Sequence, residues 1–289
     1  MADGELPPFY TWQDTRRAGL TRAQLRDDGV RVTRGSYVSC AQPLTLDAAC
    51  HAVARVVPGS AAFSHRTAAA LWGAPVSAAG PLQLVVPRGV VRPRRRRLIV
   101  AVRTLDTDDV REHRGLRLTS PAQTWLDLCA GSPPGELVVV GDALLRAGRL
   151  DRDELAGRLD RATGAPGVVL ARRVAPVLHP GAASRPESLL RWTLVDSPLP
   201  DPEVQVPVLD RWGRVAAHGD LGYRRWKVLV EYERRQHAER EQFRRDVDRY
   251  SLTAADGWLV LRFADVHLGR PGVVVDRVAR ALLSRGARW

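Results

Sequence analysis

The chain has almost no lysine, few cysteines and no long apolar run. Of the 44 basic residues among 289, only Lys227 is a lysine, so arginine carries the positive charge. Cys40, Cys50 and Cys129 are odd in number and include no Cys-x-x-Cys pair, which supports neither a disulfide framework nor a structural zinc site. No apolar run is long enough to cross a bilayer, and the sequence starts without the features of a signal peptide. We therefore expect a cytoplasmic protein with no membrane partner.

Positive charge is unevenly distributed along the sequence. The 44 basic and 32 acidic residues give a net charge of +12 and an isoelectric point near 10.8. Residues 1–180 carry 25 basic against 17 acidic residues, and residues 181–289 carry 19 against 15. Because basic proteins attract polyanions, we expect DNA as the partner, bound mainly by the first part of the chain.

The stretch from Asp220 to Glu233 carries acidic residues at a spacing that suits a metal site. Ten residues separate Asp220 from Glu231, and Glu231 and Glu233 share one face of an apolar strand. A turn at Arg224 and Arg225 would bring Asp220 beside them. Converging carboxylates favour a cation, and oxygen ligands suit Mg²⁺ or Mn²⁺, which activate water against a phosphodiester. The alternative is a set of solvated charges at a sheet edge.

The elements around this stretch follow the order α-β-β-β-α-β-α. Periodicity predicts helices at 184–196, 238–255 and 273–283 and strands at 204–209, 214–220, 227–232 and 258–263. The residues that carry a family resemblance are Glu187, Asp220, 230–233, His237, Phe243, Arg245, Asp246 and 257–262. Together they resemble the domain-of-unknown-function family 559, which is similar to very-short-patch mismatch-repair endonucleases of the PD-(D/E)xK superfamily.

This resemblance implies a metal-dependent DNA endonuclease domain. Asp220 and Glu231 would be ligands of Mg²⁺ or Mn²⁺, Glu187 would complete the acidic cluster, and His237 would orient or protonate a phosphate-bound water or leaving group. Glu233 stands where the superfamily usually has a catalytic lysine. That departure keeps a second interpretation open, in which the domain is a binding platform without catalysis.

The N-terminus predicts a winged helix-turn-helix. Helices at 11–18 and 21–27 precede two strands at 30–33 and 37–39, and Gly35 permits the tight turn of the wing. A winged helix serves either to bind DNA or to contact other proteins. The candidate DNA-binding residues of this part are Arg22, Gln24, Arg26, Arg31 and Arg34.

Three segments carry a second resemblance: 18–25, 34–38 and 62–73. They resemble antitoxins of the AbiEi type over about residues 9–175. The resemblance implies a winged helix that represses its own operon, an α/β middle domain, and a toxin as a partner. In this chain Asp27 and Asp28 end the second helix, where we expect them to repel phosphate.

The middle region predicts a mixed α/β structure. Strands at 82–86 and 99–103 flank the arginine-rich segment 92–97, and helices follow at 122–130, 136–147 and 151–161. That segment is either a solvated hairpin turn or a phosphate contact made by Arg94, Arg95 and Arg96. The prolines and the glycine at 176–184 interrupt helices and strands, which predicts a domain boundary or linker there.

The sequence therefore predicts an α/β (α+β) protein in three parts: a winged helix-turn-helix at 1–42, an AbiEi-like middle domain at 43–178, and a nuclease-like domain at 184–289. The leading expectation is a DNA-binding, metal-dependent endonuclease acting in repair or defence. The alternative is a non-catalytic, antitoxin-like repressor with a degenerate nuclease domain. A homodimer is a candidate assembly.

Overall fold

The computed structural model describes residues 6–209, 212–233, 251 and 253–289, without the side chains of Arg22, Arg26 and Ala216. They form two compact units: the described residues of 6–131 and 149–171 make the first, and those of 132–148 and 172–289 make the second. Within the described ranges, no helix is long and apolar enough to span a membrane. The α+β fold class predicted from the sequence is confirmed.

The first unit begins with a small winged helix. Its sheet has the strand order β1-β3-β2, and both of its helices start at a threonine cap. The elements are β1 (Phe9–Thr11), α1 (Trp12–Arg17), α2 (Arg22–Asp28), β2 (Gly29–Thr33) and β3 (Ser36–Ser39), followed by α3 (Leu46–Ala54). The predicted helices and wing are confirmed, and β1 is an additional strand.

The remainder of the first unit is built on a five-stranded mixed sheet of order β6-β5-β4-β8-β7. Helix α5 is buried along its whole length. The elements are β4 (Ala62–Phe63), α4 (His65–Leu71), β5 (Leu82–Val86), β6 (Leu98–Val102), β7 (Val110–His113), β8 (Leu116–Thr119), α5 (Pro121–Cys129), α7 (Arg152–Asp160) and α8 (Val168–Val174), the last of which runs into the second unit.

Strands β5 and β6 pair in parallel, with Leu82 opposite Leu98 and Val86 opposite Val102. Neighbouring parallel strands cannot be joined by a tight hairpin, because the chain must return to the end at which it started. Residues 87–97 are therefore a crossover. The hairpin interpretation of the arginine-rich segment is wrong in this respect, since the sequence pattern predicts strands but not their relative direction.

The second unit contains a four-stranded sheet of order β12-β11-β10-β9, in which β11 and β12 are parallel and the other pairs antiparallel. One face packs on helices through Val228, Val230, Leu190 and Val278. The elements are α6 (Pro134–Arg146), α9 (Arg185–Val195), β9 (Glu203–Leu209), β10 (Val215–Tyr223), β11 (Val228–Tyr232), β12 (Leu259–Phe263), α10 (Asp265–Leu268) and α11 (Pro271–Ser284). The predicted strands and flanking helices of this part are confirmed; the predicted helix 238–255 lies mostly outside the described residues.

Helix α6 belongs to the second unit although it lies in the middle region of the sequence. Its Asp142 is fully buried and accepts hydrogen bonds from Arg191 Nη2 at 2.6 and 2.7 Å and from Ser188 Oγ at 2.8 Å. The backbone N–H of His179 donates to the same carboxylate at 2.7 Å. The structure thus divides the chain inside the middle region, whereas the three-part division stays a prediction.

Candidate nucleic-acid interface and acidic cluster

Helix α2 begins at Thr21 through a reciprocal cap. Thr21 Oγ1 accepts from the N–H of Gln24, and Gln24 Oε1 accepts from both the N–H and the hydroxyl of Thr21 at 2.8 and 2.9 Å. The side-chain oxygen of Gln24 is therefore used by the helix itself. The amide NH₂ of this exposed residue takes no part in the cap. The Thr-x-x-Gln pattern is a capping signal that the sequence already contained.

The end of α2 is fixed by a buried tyrosine. Tyr10 is fully buried, and its hydroxyl donates to Asp28 Oδ2 at 2.8 Å. Burial, followed by the neighbouring Asp28 carboxylate, raises the pKa of Tyr10 above its ordinary value. A Cβ at Gly29 would lie 1.9 Å from the Tyr10 hydroxyl, so this position must be glycine for the ring to fit. Asp28 is thus half-buried and engaged by Tyr10, whereas Asp27 is exposed.

The wing, defined here as β2, β3 and the turn at Arg34 and Gly35, carries two outward arginines. Gly35 has a φ of 75°, which L side chains rarely adopt, and this allows the two strands to turn back immediately. Arg31 and Arg34 are exposed on the wing. Both also line an open cleft of about 540 Å³, together with Trp12, Leu25, Gly29, Gly35 and Tyr37.

The arginine crossover, residues 92–97, lies against this wing. Thr33 Oγ1 donates to the carbonyl oxygen of Arg96 at 2.9 Å, and the Arg95 guanidinium donates to the carbonyl oxygen of Arg34. Arg94 and Arg96 are exposed, while Arg95 is half-buried. Residues about sixty positions apart thus form one surface, and no local sequence signal could have predicted that contact.

We call the set Arg31, Arg34, Arg94 and Arg96 the basic face. Its described side chains are exposed, and it holds four arginines. Arg95 has a different place, because its half-buried guanidinium holds the crossover on the wing. Arg22 and Arg26 belong to α2, but their side chains lie outside the described part of the structure. Such a surface is suited to the phosphates of a duplex.

His65, the first residue of α4, makes a local hydrogen bond. Its Nδ1 lies 2.9 Å from Ser64 Oγ and 3.8 Å from the fully buried carboxylate of Asp127. The Arg103 guanidinium also binds Asp127, and its Nη2 lies 3.5 Å from His65 Nε2. Burial lowers the pKa of His65; Asp127 opposes that effect and Arg103 adds to it. His65 has a φ of 51°, an unusual conformation for a residue at the start of a helix.

Asp220 and Glu231 lie on neighbouring strands, as the spacing predicts. Leu221 pairs with Val230, and continuing this antiparallel register by one residue brings Asp220 opposite Glu231. Asp220 Oδ2 accepts from the backbone N–H of Tyr232 at 2.9 Å. The turn between these strands is a short 3₁₀ segment, Arg224–Trp226, followed by Lys227 at a φ of 50°. The Lys227 ammonium donates to the carbonyl oxygen of Asp256 at 2.8 Å.

Glu187 has a structural role at the start of α9. Its carboxylate accepts from the N–H of Ala183 and from Ser184 Oγ, both at 2.7 Å, so it caps its own helix. Helix α9 packs on the sheet face that carries Val228 and Val230. Glu231 alternates with Val230 and therefore points to the other face, beside Leu229.

Arg262 is the cation that the sequence reasoning missed. The parallel register pairs it with Glu231, and its Nε lies 3.9 Å from Glu231 Oε2 and 3.6 Å from Glu233 Oε2. The sequence does predict a strand at 258–263 that contains Arg262. If that strand is aligned in parallel with β11, Arg262 lies opposite Glu231. His237, the remaining predicted site residue, lies outside the described residues.

In the described ranges, no group of three or more His, Cys, Asp and Glu side chains is placed to hold a metal ion. The expected convergence of Glu187 with Asp220 and Glu231 is therefore not seen there. The physical reason is that Glu231 points to the sheet face opposite α9, while Glu187 on α9 accepts the hydrogen bonds of its own helix cap. Metal binding and catalysis by Asp220, Glu231, Glu233 and Glu187 stay predictions.

Comparison with known proteins bears on the middle region. Residues 60–177 match the family described as the AbiEi antitoxin C-terminal domain. The uncharacterized proteins MT2308 and Rv2248 of Mycobacterium tuberculosis are each 29% identical over 170 residues, which cover 58% of this chain and 62% of the relative. The chain thus spans less than two thirds of the length of these curated relatives. The crystal structure of the RV2827C protein from Mycobacterium tuberculosis has a TM-score of 0.43 at 15% identity, covering 63% of this chain and 75% of that one.

The middle region is therefore similar to AbiEi antitoxins, as the residues at 62–73 indicated. The resemblance of the C-terminal part to PD-(D/E)xK nucleases stays a prediction.

Proposed function

We propose that this protein is a DNA-binding regulator of the antitoxin type, in which the basic face holds duplex DNA. The observation that carries the proposal is the attachment of the arginine crossover to the wing through Thr33, Arg34, Arg95 and Arg96. It joins two arginine-bearing segments into one surface. The similarity of residues 60–177 to an antitoxin family supports the regulatory interpretation.

The proposed docking follows from the positions of these side chains. Helix α2 would enter a groove with its exposed side, including the amide of Gln24, while Arg31 and Arg34 of the wing reach the adjacent backbone. Arg94 and Arg96 would extend the phosphate contacts beyond the wing. Phosphate contacts fix the position of the protein, and α2 provides the contacts that read bases.

The experiment is a binding titration by fluorescence anisotropy with two duplexes of equal length and composition. One is the DNA immediately upstream of this protein's own coding sequence, and the other is its shuffled counterpart. A regulator should bind the upstream duplex tighter by a factor of about a thousand or more. Equal affinity for both duplexes would contradict the regulatory proposal.

The antitoxin part of the proposal requires a toxin that this chain neutralises. The test is growth of cells that express the adjoining reading frame with and without this protein. Relief of growth inhibition by the full chain supports an antitoxin; inhibition that persists at equal toxin levels argues against one. Residues 60–177, which match the antitoxin family, are the part proposed to act there.

A second candidate function is metal-dependent cleavage of DNA. The observation that favours it is the register that brings Asp220 opposite Glu231 on adjacent strands. The test incubates the purified chain with linear, nicked, mismatched and single-stranded DNA in Mg²⁺ or Mn²⁺. Cleavage by the wild type that Asp220→Asn abolishes, with DNA binding retained, would establish the nuclease.

A further inference from the structure

We infer that the Arg262 guanidinium occupies the position that a divalent cation would take between the acidic side chains of the second unit. The acidic pair Glu231 and Glu233 would then share one internal positive charge. The metal site predicted from the sequence would be closed, which argues against the second candidate function. This inference does not rest on DNA binding, and its test contains no DNA.

Arg262 lies on β12, the strand next to β11. It is the direct partner of Glu231 in the parallel register, and both side chains alternate to the same face of the sheet as Leu229 and Val260. Its Nε lies 3.9 Å from Glu231 Oε2 and 3.6 Å from Glu233 Oε2. One guanidinium thus lies within ion-pair distance of both carboxylates.

Glu231 requires a positive charge beside it because its carboxylate is buried. Its side chain is only 9% exposed, whereas those of Arg262 and Glu233 are 37% and 51% exposed. A buried carboxylate is costly unless it is paired with a cation. The guanidinium of Arg262 provides that charge and repels a metal ion that approaches the same oxygens.

Asp220 and Glu187, the other two predicted ligands, already accept hydrogen bonds from the protein. Asp220 Oδ2 is used by the N–H of Tyr232 at 2.9 Å. Both oxygens of Glu187 are used at the start of α9, by Ala183 N–H and Ser184 Oγ. Each predicted ligand therefore has a protein partner that stabilises the fold. The donor set would fit Mg²⁺ or Mn²⁺ only after Arg262 moved away from Glu231 and Glu233.

The test is the melting temperature of the full chain in EDTA and in increasing Mn²⁺. The melting temperature of the wild type is expected to stay unchanged as Mn²⁺ increases. In Arg262→Gln the site is open, and the melting temperature should rise by roughly 5–10 °C when Mn²⁺ reaches about a hundred times its Kd. Asp220→Asn added to Arg262→Gln should remove that gain. Arg280→Gln is the matched control, because it removes an arginine paired with Asp276 elsewhere in the same unit.

Three results would overturn the inference. The first is a saturable, Mn²⁺-dependent rise in the melting temperature of the wild type that Asp220→Asn abolishes. The second is the absence of such a rise in a folded Arg262→Gln variant. The third is a rise in Arg262→Gln that persists after Asp220→Asn is added. Should Arg262→Gln fail to fold, Arg262→Lys keeps the positive charge and is expected to resemble the wild type. A Mn²⁺-dependent rise in that variant, too, would contradict the account.

Discussion

The ion pair between Asp142 and Arg191 offers a sharp test of how the second unit is held together. The side chains of Asp142 and Arg191 are 0% and 4% exposed, and the carboxylate also accepts from Ser188 Oγ and the N–H of His179. Asp142→Asn leaves the buried Arg191 guanidinium without a negative partner. The new amide NH₂ of the asparagine would also face N–H and O–H donors where the carboxylate had accepted their hydrogen bonds. We expect a loss of about 3–5 kcal/mol in the free energy of unfolding.

That loss is large because a protein unit is stable by only about 5–15 kcal/mol in total. The assay is urea denaturation of the full chain, followed by circular dichroism and tryptophan fluorescence. The unfolding of the second unit should move to lower urea. A double variant, Asp142→Asn with Arg191→Met, should lose less than the sum of the two single losses, because each single change already breaks the pair.

The matched control is Arg173→Gln, which breaks an ion pair with Asp196 in the same unit. Those side chains are 59% and 39% exposed, so solvent already screens the pair and we expect a loss below about 1 kcal/mol. The reasoning is refuted if Asp142→Asn costs no more than this control. It is also refuted if the losses of the single variants simply add.

Three further predictions concern single residues of the first unit. Burial lowers the pKa of His65 below 6.5, so as pH falls the imidazole is protonated in the unfolded chain before it is protonated in the folded one. The free energy of unfolding of the wild type should therefore decrease as pH falls from about 6.5. His65→Asn should lack that decrease in unfolding titrations across this pH range. The melting temperature of Gly167→Ala should lie well below that of Gly164→Ala. Both glycines have a positive φ, but only at Gly167 would a Cβ lie 2.5 Å from the Cys129 backbone. Equal melting temperatures for the two variants would contradict this packing. Gly29→Ala should cost about 1–3 kcal/mol in urea unfolding by displacing the buried Tyr10 ring, and an unchanged midpoint would contradict the packing described.

The order of elements could be predicted because its signals are local. The helix predicted at 184–196 is observed as Arg185–Val195, since the serine cap at Ser184 and Glu187 three residues later are readable in the sequence. The strands of the second unit were similarly marked by apolar runs between turns. Period and capping therefore suffice for the elements and for the α+β class.

The partners of these elements could not be predicted, because they join distant residues. No pattern near Thr33 indicates its hydrogen bond to Arg96, and none near Asp142 indicates Arg191. Asp220 and Glu231 were correctly expected on adjacent strands, yet the strand that brings Arg262 beside Glu231 was not recognised as a parallel neighbour. Charge compensation is a property of the assembled sheet, and spacing alone cannot reveal it.

The boundary between the units illustrates the same limit. Breakers at 176–184 predicted a division there, but α6 packs with α9 through Asp142 and Arg191. A fragment that ends at residue 180 would separate these two side chains. DNA-binding experiments should therefore use the full chain.

The central claim is that the basic face binds DNA phosphates, and the salt dependence of duplex affinity tests it most directly. Each phosphate contact contributes about 0.9 to the slope of log affinity against log salt, so Arg94→Ala with Arg96→Ala should reduce that slope by about 2. The control removes two exposed arginines of the other unit, Arg285 and Arg288, and should leave the slope unchanged. Equal slopes for the wild type and the Arg94 and Arg96 variant, or an equal reduction in the control, would contradict the account.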